Sequence, residues 1–132
     1  MKSKKIKEGP NEPTRSELEI LQVLWQHGPS TARFVNDYLN KEKREVIYMS
    51  TLKLMQIMLD KGLLEKDDSP IAHIYRAAAE EAKTKGQLLD KMVENVFGGS
   101  AGSLMMQLVG SKQLSPTQME EVKELIKKID EK

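Results

Sequence analysis

The sequence predicts a mainly α fold with one small β-hairpin, and three observations along the chain support this class. Residues 48–62 place apolar side chains at helical spacing and end in a glycine. Two short apolar runs follow, Leu63-Leu64 and Ile71 to Tyr75, and the turn-forming tetrapeptide DDSP separates them as in a hairpin. Amphipathic helical segments stand on both sides of this unit. The order helix, glycine, strand, turn, strand is typical of a winged helix-turn-helix domain, although periodicity alone fits a plain core helix backed by a hairpin equally well.

Length and composition restrict the classes of protein that the chain can represent. Its 132 residues suffice for one domain, or for a small domain with an oligomerisation element. The absence of cysteine excludes a disulfide framework, a thiolate metal site and a thiol nucleophile. No stretch approaches the roughly 18 consecutive apolar residues of a membrane span, and the N-terminus lacks the apolar core of a secretory signal. We therefore expect a cytoplasmic protein without membrane insertion.

Charge is nearly balanced along the chain, at a formal net charge of +1. Residues 1–76 carry 13 Lys/Arg against 11 Asp/Glu, and residues 77–132 carry 8 against 9. Nucleic-acid binding by the first half would therefore need a local patch of positive charge rather than a positive field over the whole protein. Residues 1–13 hold four lysines and are predicted to form a disordered basic arm.

Residues 14–77 are predicted to form the winged-helix DNA-binding domain, beginning with a helix that has clear boundaries. Thr14 and Glu17 have the spacing of a capping box, in which each side chain accepts from a free backbone N–H of the first turn. Gly28 and Pro29 end this helix. Its predicted apolar stripe consists of Leu18, Leu21, Val23, Leu24 and Trp25.

A second helix is predicted to begin after Ser30, which is a favourable N-cap residue. Arg33 lies in its first turn, where unpaired backbone N–H groups attract an anion. Arg33 and the Thr31 hydroxyl are therefore candidate phosphate contacts. A surface arginine without a partner fits the same pattern.

The helix of residues 48–61 is predicted to have one packing face and one free face. At 100° per residue, one side collects Thr51, Leu54, Met55 and Met58, and the other collects Met49, Lys53, Gln56 and Asp60. The second face is free to contact a partner.

Residues 78–132 are predicted to form a helical dimerisation domain. One helix is expected to start in the Ala77–Ala79 run and to end at Gly98-Gly99, and the apolar segment SLMMQLV of residues 103–109 is expected to be buried. The last helix starts with a capping box from Ser115 to Gln118. Such helices expose more apolar surface than they can cover, so we expect either a second copy to cover it or the helices to fold back on the first half. The candidate dimerisation residues are Leu88, Leu89, Met92, Val96, Leu104, Met105, Leu108, Val122, Leu125, Ile126 and Ile129.

Several of these segments resemble a known family. The segments ELEILQVLW with HGPST, YMST leading to KGL, and FGGSAGSLMMQLV are similar to the BlaI/MecI/CopY family of bacterial penicillinase repressors. The resemblance covers about residues 13–131 and is most specific in Glu17–Trp25 and in the FGG segment. It implies a dimeric winged-helix repressor that binds a palindromic operator in double-stranded DNA and blocks transcription.

The resemblance also implies which residues meet DNA, because the third helix of such repressors enters the major groove. Glutamine can bond adenine bidentately, lysine can reach guanine acceptors, and methionine can pack on thymine methyl groups. The candidate DNA contacts are Tyr48, Met49, Ser50, Lys53 and Gln56 on this helix, with Thr31 and Arg33 before it and Arg76 in the hairpin after it.

The predicted wing departs from the usual pattern, because the tip DDSP is acidic and phosphates would repel it. A basic side chain for a phosphate contact must come from Lys66, His73 or Arg76 at the flanks of the hairpin. Otherwise the wing does not contact DNA. We expect the wing to contribute little to binding.

Repressors of this family that respond to β-lactams are inactivated when a membrane-anchored zinc metalloprotease sensor triggers cleavage of an Asn-Phe bond in the dimerisation region. By the resemblance, this bond corresponds to Gln107-Leu108, where neither family residue is retained. The competing interpretation is that these two residues are simply part of a buried helix. The copper-responsive branch senses metal through C-terminal cysteines, which this sequence lacks.

Other functions find less support in the sequence. The two histidines, His27 and His73, lie in unrelated segments without a metalloprotease motif, a nucleophile elbow or a phosphate-binding loop. We therefore expect no catalytic residues, no metal site and no cofactor. The alternative function is a winged-helix module for protein contact without sequence-specific DNA binding, because a fold does not determine a function.

Overall fold

A computed structural model of the protein describes residues 12–69, 71–111 and 113–130. Residues 1–11, most of the predicted arm, lie outside the described residues, and so do the side chains of Ile126 and Ile129. The described residues contain α1 (Arg15–His27), α2 (Ala32–Glu42), α3 (Tyr48–Asp60), β1 (Leu64–Asp68), β2 (His73–Ala77), α4 (Glu81–Asn95), α5 (Ala101–Gly110) and α6 (Pro116–Asp130). The predicted mainly α class with one hairpin is confirmed.

The chain divides into two compact units, residues 1–84 and residues 85–132. The first unit contains the three helices and the hairpin in the order of a winged helix-turn-helix domain. Its hydrophobic core takes residues from α1, α2, α3 and both strands, and the buried apolar side chains are Ile20, Leu21, Val23, Leu24, Ala32, Val35, Leu39, Met55, Met58, Leu63, Leu64 and Tyr75. Ile20 was absent from the predicted stripe of α1, although it is fully buried.

Both ends of α1 form as predicted. The Thr14 hydroxyl accepts from the Glu17 N–H at 3.2 Å, and the Glu17 carboxylate accepts from the Thr14 N–H at 2.9 Å. At the other end, Gly28 has a φ of 83°, a conformation that residues with a Cβ rarely adopt. The Gly28 N–H donates to the Leu24 carbonyl and so closes the last turn.

The predicted cap of α2 is wrong by one residue. Thr31 is the N-cap, and its hydroxyl accepts from the Phe34 N–H at 3.1 Å. The Ser30 backbone forms a bridge with Tyr75 instead, exchanging N–H to carbonyl hydrogen bonds of 2.9 and 2.8 Å. Ser30 is therefore held in extended backbone beside β2, which leaves the capping role to the next residue.

The hairpin is longer than predicted. β1 and β2 pair antiparallel from Leu64 opposite Ala77 to Asp68 opposite His73. Asp67 and Asp68 are strand residues rather than turn residues, because the ladder continues through both of them. Ile71, predicted to lie in the second strand, precedes β2 and is 95% exposed.

The fourth helix begins at Glu81 and not in the run Ala77–Ala79. Ala77 belongs to β2, and the N–H groups of Ala78 and Ala79 both donate to the carbonyl of Leu63. The Ala79 carbonyl accepts from the Trp25 indole N–H at 2.9 Å. These long-range bonds hold the alanines in a connector despite their high helix propensity.

The second unit contains most of α4, together with α5 and α6. α5 was expected to be buried, and this is wrong for the single chain, since none of its residues is buried. The capping box of α6 is confirmed by two bonds between Ser115 and Gln118, at 3.0 and 3.1 Å. Among the described side chains of this unit, the exposed large apolar ones are Leu89, Met92, Val96, Met105, Met106, Leu108, Val109 and Leu125.

Candidate DNA-binding surface

Helix α3 has the two faces that its spacing predicts. Thr51, Met55 and Met58 are buried, and Leu54 packs against the core. The opposite side exposes Met49, which is 65% exposed, together with Ser50, Lys53, Gln56 and Asp60. A lysine, a glutamine and a serine therefore stand on the solvent side of a helix whose other side is fixed in the core.

The N-terminal end of α3 carries aromatic and cationic groups. Its N-cap Ile47 has no side-chain acceptor, and no acidic residue lies in the first turn. The guanidinium carbon of Arg33 lies 4.0 Å above the centroid of the Tyr48 ring, a cation–π contact between α2 and α3. Two of the candidate contacts, Arg33 and Tyr48, are thus brought together, and both adjoin a helix end that favours anions.

Three hydrogen bonds hold the segment just before α3. Asn40 Oδ1 accepts from the Val46 N–H at 3.1 Å, and Asn40 Nδ2 donates to the Val46 carbonyl at 2.8 Å. Asn36 Nδ2 donates to the same carbonyl at 3.0 Å and to the Thr51 hydroxyl at 2.8 Å. Sequence reasoning missed this network; the available signal was the polar Asn36 between the apolar positions Val35 and Leu39.

The C-terminal end of α3 is tied to α1. Lys61 Nζ lies 2.7 Å from Glu17 Oε1 and donates to the Glu12 carbonyl at 3.3 Å. The Glu17 side chain is buried, so this ion pair is little screened by solvent. A second pair joins Arg44, in the connection between α2 and α3, to Glu19 of α1 at 2.7 Å.

The basic side chains of the hairpin all lie near carboxylates. Arg76 Nε donates to Glu65 at 3.0 Å, and Lys66 Nζ and His73 Nδ1 lie 3.7 and 3.6 Å from Asp68. Arg76 is therefore engaged by an acid of its own sheet. This arrangement weakens the attraction of the wing for phosphate.

Tyr75 is the buried anchor of the sheet, and its hydroxyl is harder to ionise than usual. Burial raises the pKa of Tyr75 above 10.0, and the nearby Tyr48 and Asp68 raise this pKa further. The phenol therefore stays neutral at physiological pH.

In the part of the chain that the structure describes, none of the helices has the length and apolar character needed to cross a membrane. Within the same residues, no group of three or more His, Cys, Asp or Glu side chains is placed to hold a metal ion.

The three helices, the hairpin and the exposed polar face of α3 define a winged-helix protein. Residues 13–128 match the penicillinase repressor family. The chain therefore belongs to this family of DNA-binding transcriptional repressors, as the sequence motifs indicated. A 16.5 kDa protein from the ptsI 3' region of Latilactobacillus sakei, described as uncharacterised, is 24% identical over 119 residues, which are 90% of this chain and 81% of that protein.

Proposed function

We propose that the protein is a cytoplasmic homodimeric repressor that places helix α3 of each subunit in the major groove of a palindromic operator. The observation that carries the proposal is the exposed face of α3, where Lys53 and Gln56 stand opposite buried Thr51 and Met55. The packed side holds the helix, so its polar side chains are presented on a rigid element.

Two kinds of DNA contact follow from this arrangement. Lys53, Gln56 and Met49 have the chemistry to read guanine, adenine and thymine methyl groups in the major groove. Arg33, Tyr48, Ser50 and the Thr31 hydroxyl lie at helix N-termini, where a phosphate is favoured, although Thr31 already accepts a capping bond. Arg76 is a weaker candidate, since Glu65 engages it.

The dimer part of the proposal rests on the second unit. Its exposed apolar residues recur on α4, α5 and α6, and no described side chain between residues 85 and 130 is buried. A second copy of the chain would remove this surface from water and would duplicate α3 for a two-fold symmetric site.

The test is a gel-shift titration with DNA from upstream of the protein's own gene. Lys53→Ala and Gln56→Ala are each expected to lose about 1–3 kcal/mol for a lost base contact, or roughly 5- to 150-fold in affinity. The matched controls Lys83→Ala and Gln87→Ala change the same residue types on α4 and are expected to bind like wild type. Equal effects of the two pairs would contradict the proposal.

Relief of repression by proteolytic cleavage is a separate part of the proposal. The Gln107-Leu108 bond lies inside α5, and both side chains are exposed. A protease would reach these side chains but would have to open the helix to cut the backbone. Coexpression with a membrane-anchored zinc metalloprotease sensor, followed by mass spectrometry of the fragments, tests the bond; an intact chain under inducing conditions argues against cleavage.

The pairing of wing cations with Glu65 and Asp68 favours one alternative, a winged-helix module that contacts another protein. The same titration separates the two functions. Binding that is weak and equal on operator and scrambled DNA would support the protein-contact module.

A further inference from the structure

Two asparagines of α2 hold the backbone at the point where α3 begins. Both backbone polar groups of Val46 are satisfied by side chains of the preceding helix, through the bonds of 2.8, 3.0 and 3.1 Å from Asn36 and Asn40. Val46 stands two residues before Tyr48, the first residue of α3. These bonds therefore restrain the backbone immediately before α3.

Asn36 also contacts α3 directly, through the bond of 2.8 Å to the Thr51 hydroxyl. Asn36 is 5% exposed and Thr51 is 2% exposed, so water competes little for this bond. An apolar contact between two helices tolerates small shifts, whereas a hydrogen bond weakens steeply as its distance and angle change. A buried amide at this position therefore favours one relative placement of α2 and α3.

We propose that Asn36 and Asn40 are positioning residues that set the sequence discrimination of DNA binding rather than its sequence-independent affinity. The inference rests on the proposed function, because it needs α3 to read base edges. Base contacts by Lys53 and Gln56 need hydrogen-bond geometry, whereas ionic contacts with phosphates tolerate displacement. A misplaced α3 would lose the base contacts first.

The experiment compares two duplexes of equal length, the operator and a scrambled sequence, at several salt concentrations. Asn40→Ala removes the two bonds between Asn40 and Val46 and leaves the bond from Asn36. The double variant Asn36→Leu with Thr51→Val replaces both buried partners by apolar groups of similar shape, which preserves folding better than either change alone. For both variants we expect operator affinity to fall by roughly tenfold, the effect of about one lost base contact. Affinity for the scrambled duplex and its salt dependence are expected to stay within about twofold of wild type, because phosphate contacts are retained.

Two readouts make the test decisive. Asn95→Ala, an exposed asparagine at the end of α4, is the matched control and should leave both affinities unchanged. Hydrogen exchange at the Val46 amide in the DNA-free protein should be at least about tenfold faster in Asn40→Ala, since its acceptor is lost. Equal losses on both duplexes, or unchanged operator affinity despite faster exchange, would overturn the proposal. If the wild-type protein binds both duplexes equally, the proposed function is refuted. If hydrogen exchange at the Val46 amide is unchanged in Asn40→Ala, the positioning contact is refuted independently of the DNA result.

Discussion

The two units of the chain differ in what their apolar residues do. In the first unit, twelve apolar side chains from Ile20 to Tyr75 are buried in one core. In the second unit, no described side chain from residue 85 to residue 130 is buried, although its helices are amphipathic. The comparison teaches that the first unit contains its own source of stability, whereas the second unit has apolar faces that remain available for association.

The largest effect is expected where the second unit associates. Met92→Glu with Val96→Glu places two charges on exposed apolar positions, Met92 in α4 and Val96 just after its last residue, and Val96 is 68% exposed in the single chain. Burying these charges in a dimer is costly, so association should weaken by more than about a thousandfold, or about 4 kcal/mol. Sedimentation at micromolar concentration would then show a monomer.

The control for this variant is Lys83→Gln with Gln87→Glu, which changes the net charge by the same amount at exposed positions on another side of α4. This control should remain a dimer. If both double variants sediment alike, the exposed apolar face of α4 is not the dimer contact.

The next effect concerns the core of the first unit. Leu21→Ala removes a fully buried side chain and should lower the free energy of unfolding by about 2–5 kcal/mol. Urea unfolding followed by the fluorescence of Trp25, the one tryptophan of the chain, measures the loss. Leu89→Ala, at an exposed position of α4, should leave this transition nearly unchanged; equal losses would show that the two units do not differ as described.

A smaller effect is expected from the ion pair between Glu17 of α1 and Lys61 at the end of α3. Glu17→Gln keeps an acceptor for the Thr14 N–H but removes the charge that pairs with Lys61, so the free energy of unfolding should fall by about 1–3 kcal/mol. Glu65→Gln breaks the exposed pair with Arg76 and should cost at most about 1 kcal/mol. The denaturation midpoints of the two variants compare the buried Glu17–Lys61 pair with the exposed Glu65–Arg76 pair. A larger loss of stability for Glu65→Gln would contradict the stronger contribution assigned to the buried pair.

The smallest effect appears only at high pH. Burial raises the pKa of Tyr75 in the folded protein above its unfolded value of 10.0. The unfolded chain therefore loses this proton first, and the free energy of unfolding should decline as pH rises above 10. Tyr75→Phe removes the ionisation, so wild type should lose more stability than the variant between pH 9 and pH 11 in urea titrations. Parallel pH profiles would show that Tyr75 is not responsible.

Features that depend on neighbouring residues could be predicted from the sequence, and features that depend on distant residues could not. The capping boxes at Thr14 and Ser115 and the two faces of α3 follow from spacing alone. Ser30 was assigned the wrong role because its backbone is used by Tyr75, 45 positions further along the chain. The alanines before α4 were assigned to a helix because no local signal reveals the bonds to Leu63.

The candidate site shows the same division. The exposed positions of Lys53 and Gln56 follow from periodicity, which requires only a helix with one packed face. The amide network around Val46 depends on how α2 and α3 are placed in space, and a single sequence contains no measure of that placement. The pairing of Arg76 with Glu65 likewise depends on the register of the hairpin.

The bridge between Ser30 and Tyr75 has a mechanical consequence for any duplex that the first unit grips. It couples β2 to Ser30, the residue before the N-cap Thr31 of α2, so a displacement of the hairpin would be transmitted to Thr31 and Arg33. In the proposed complex with DNA, the distance between the hairpin and the start of α2 would therefore vary little. A duplex contacted by both parts would have to fit that distance, and sequences that deform at low energetic cost would bind more tightly.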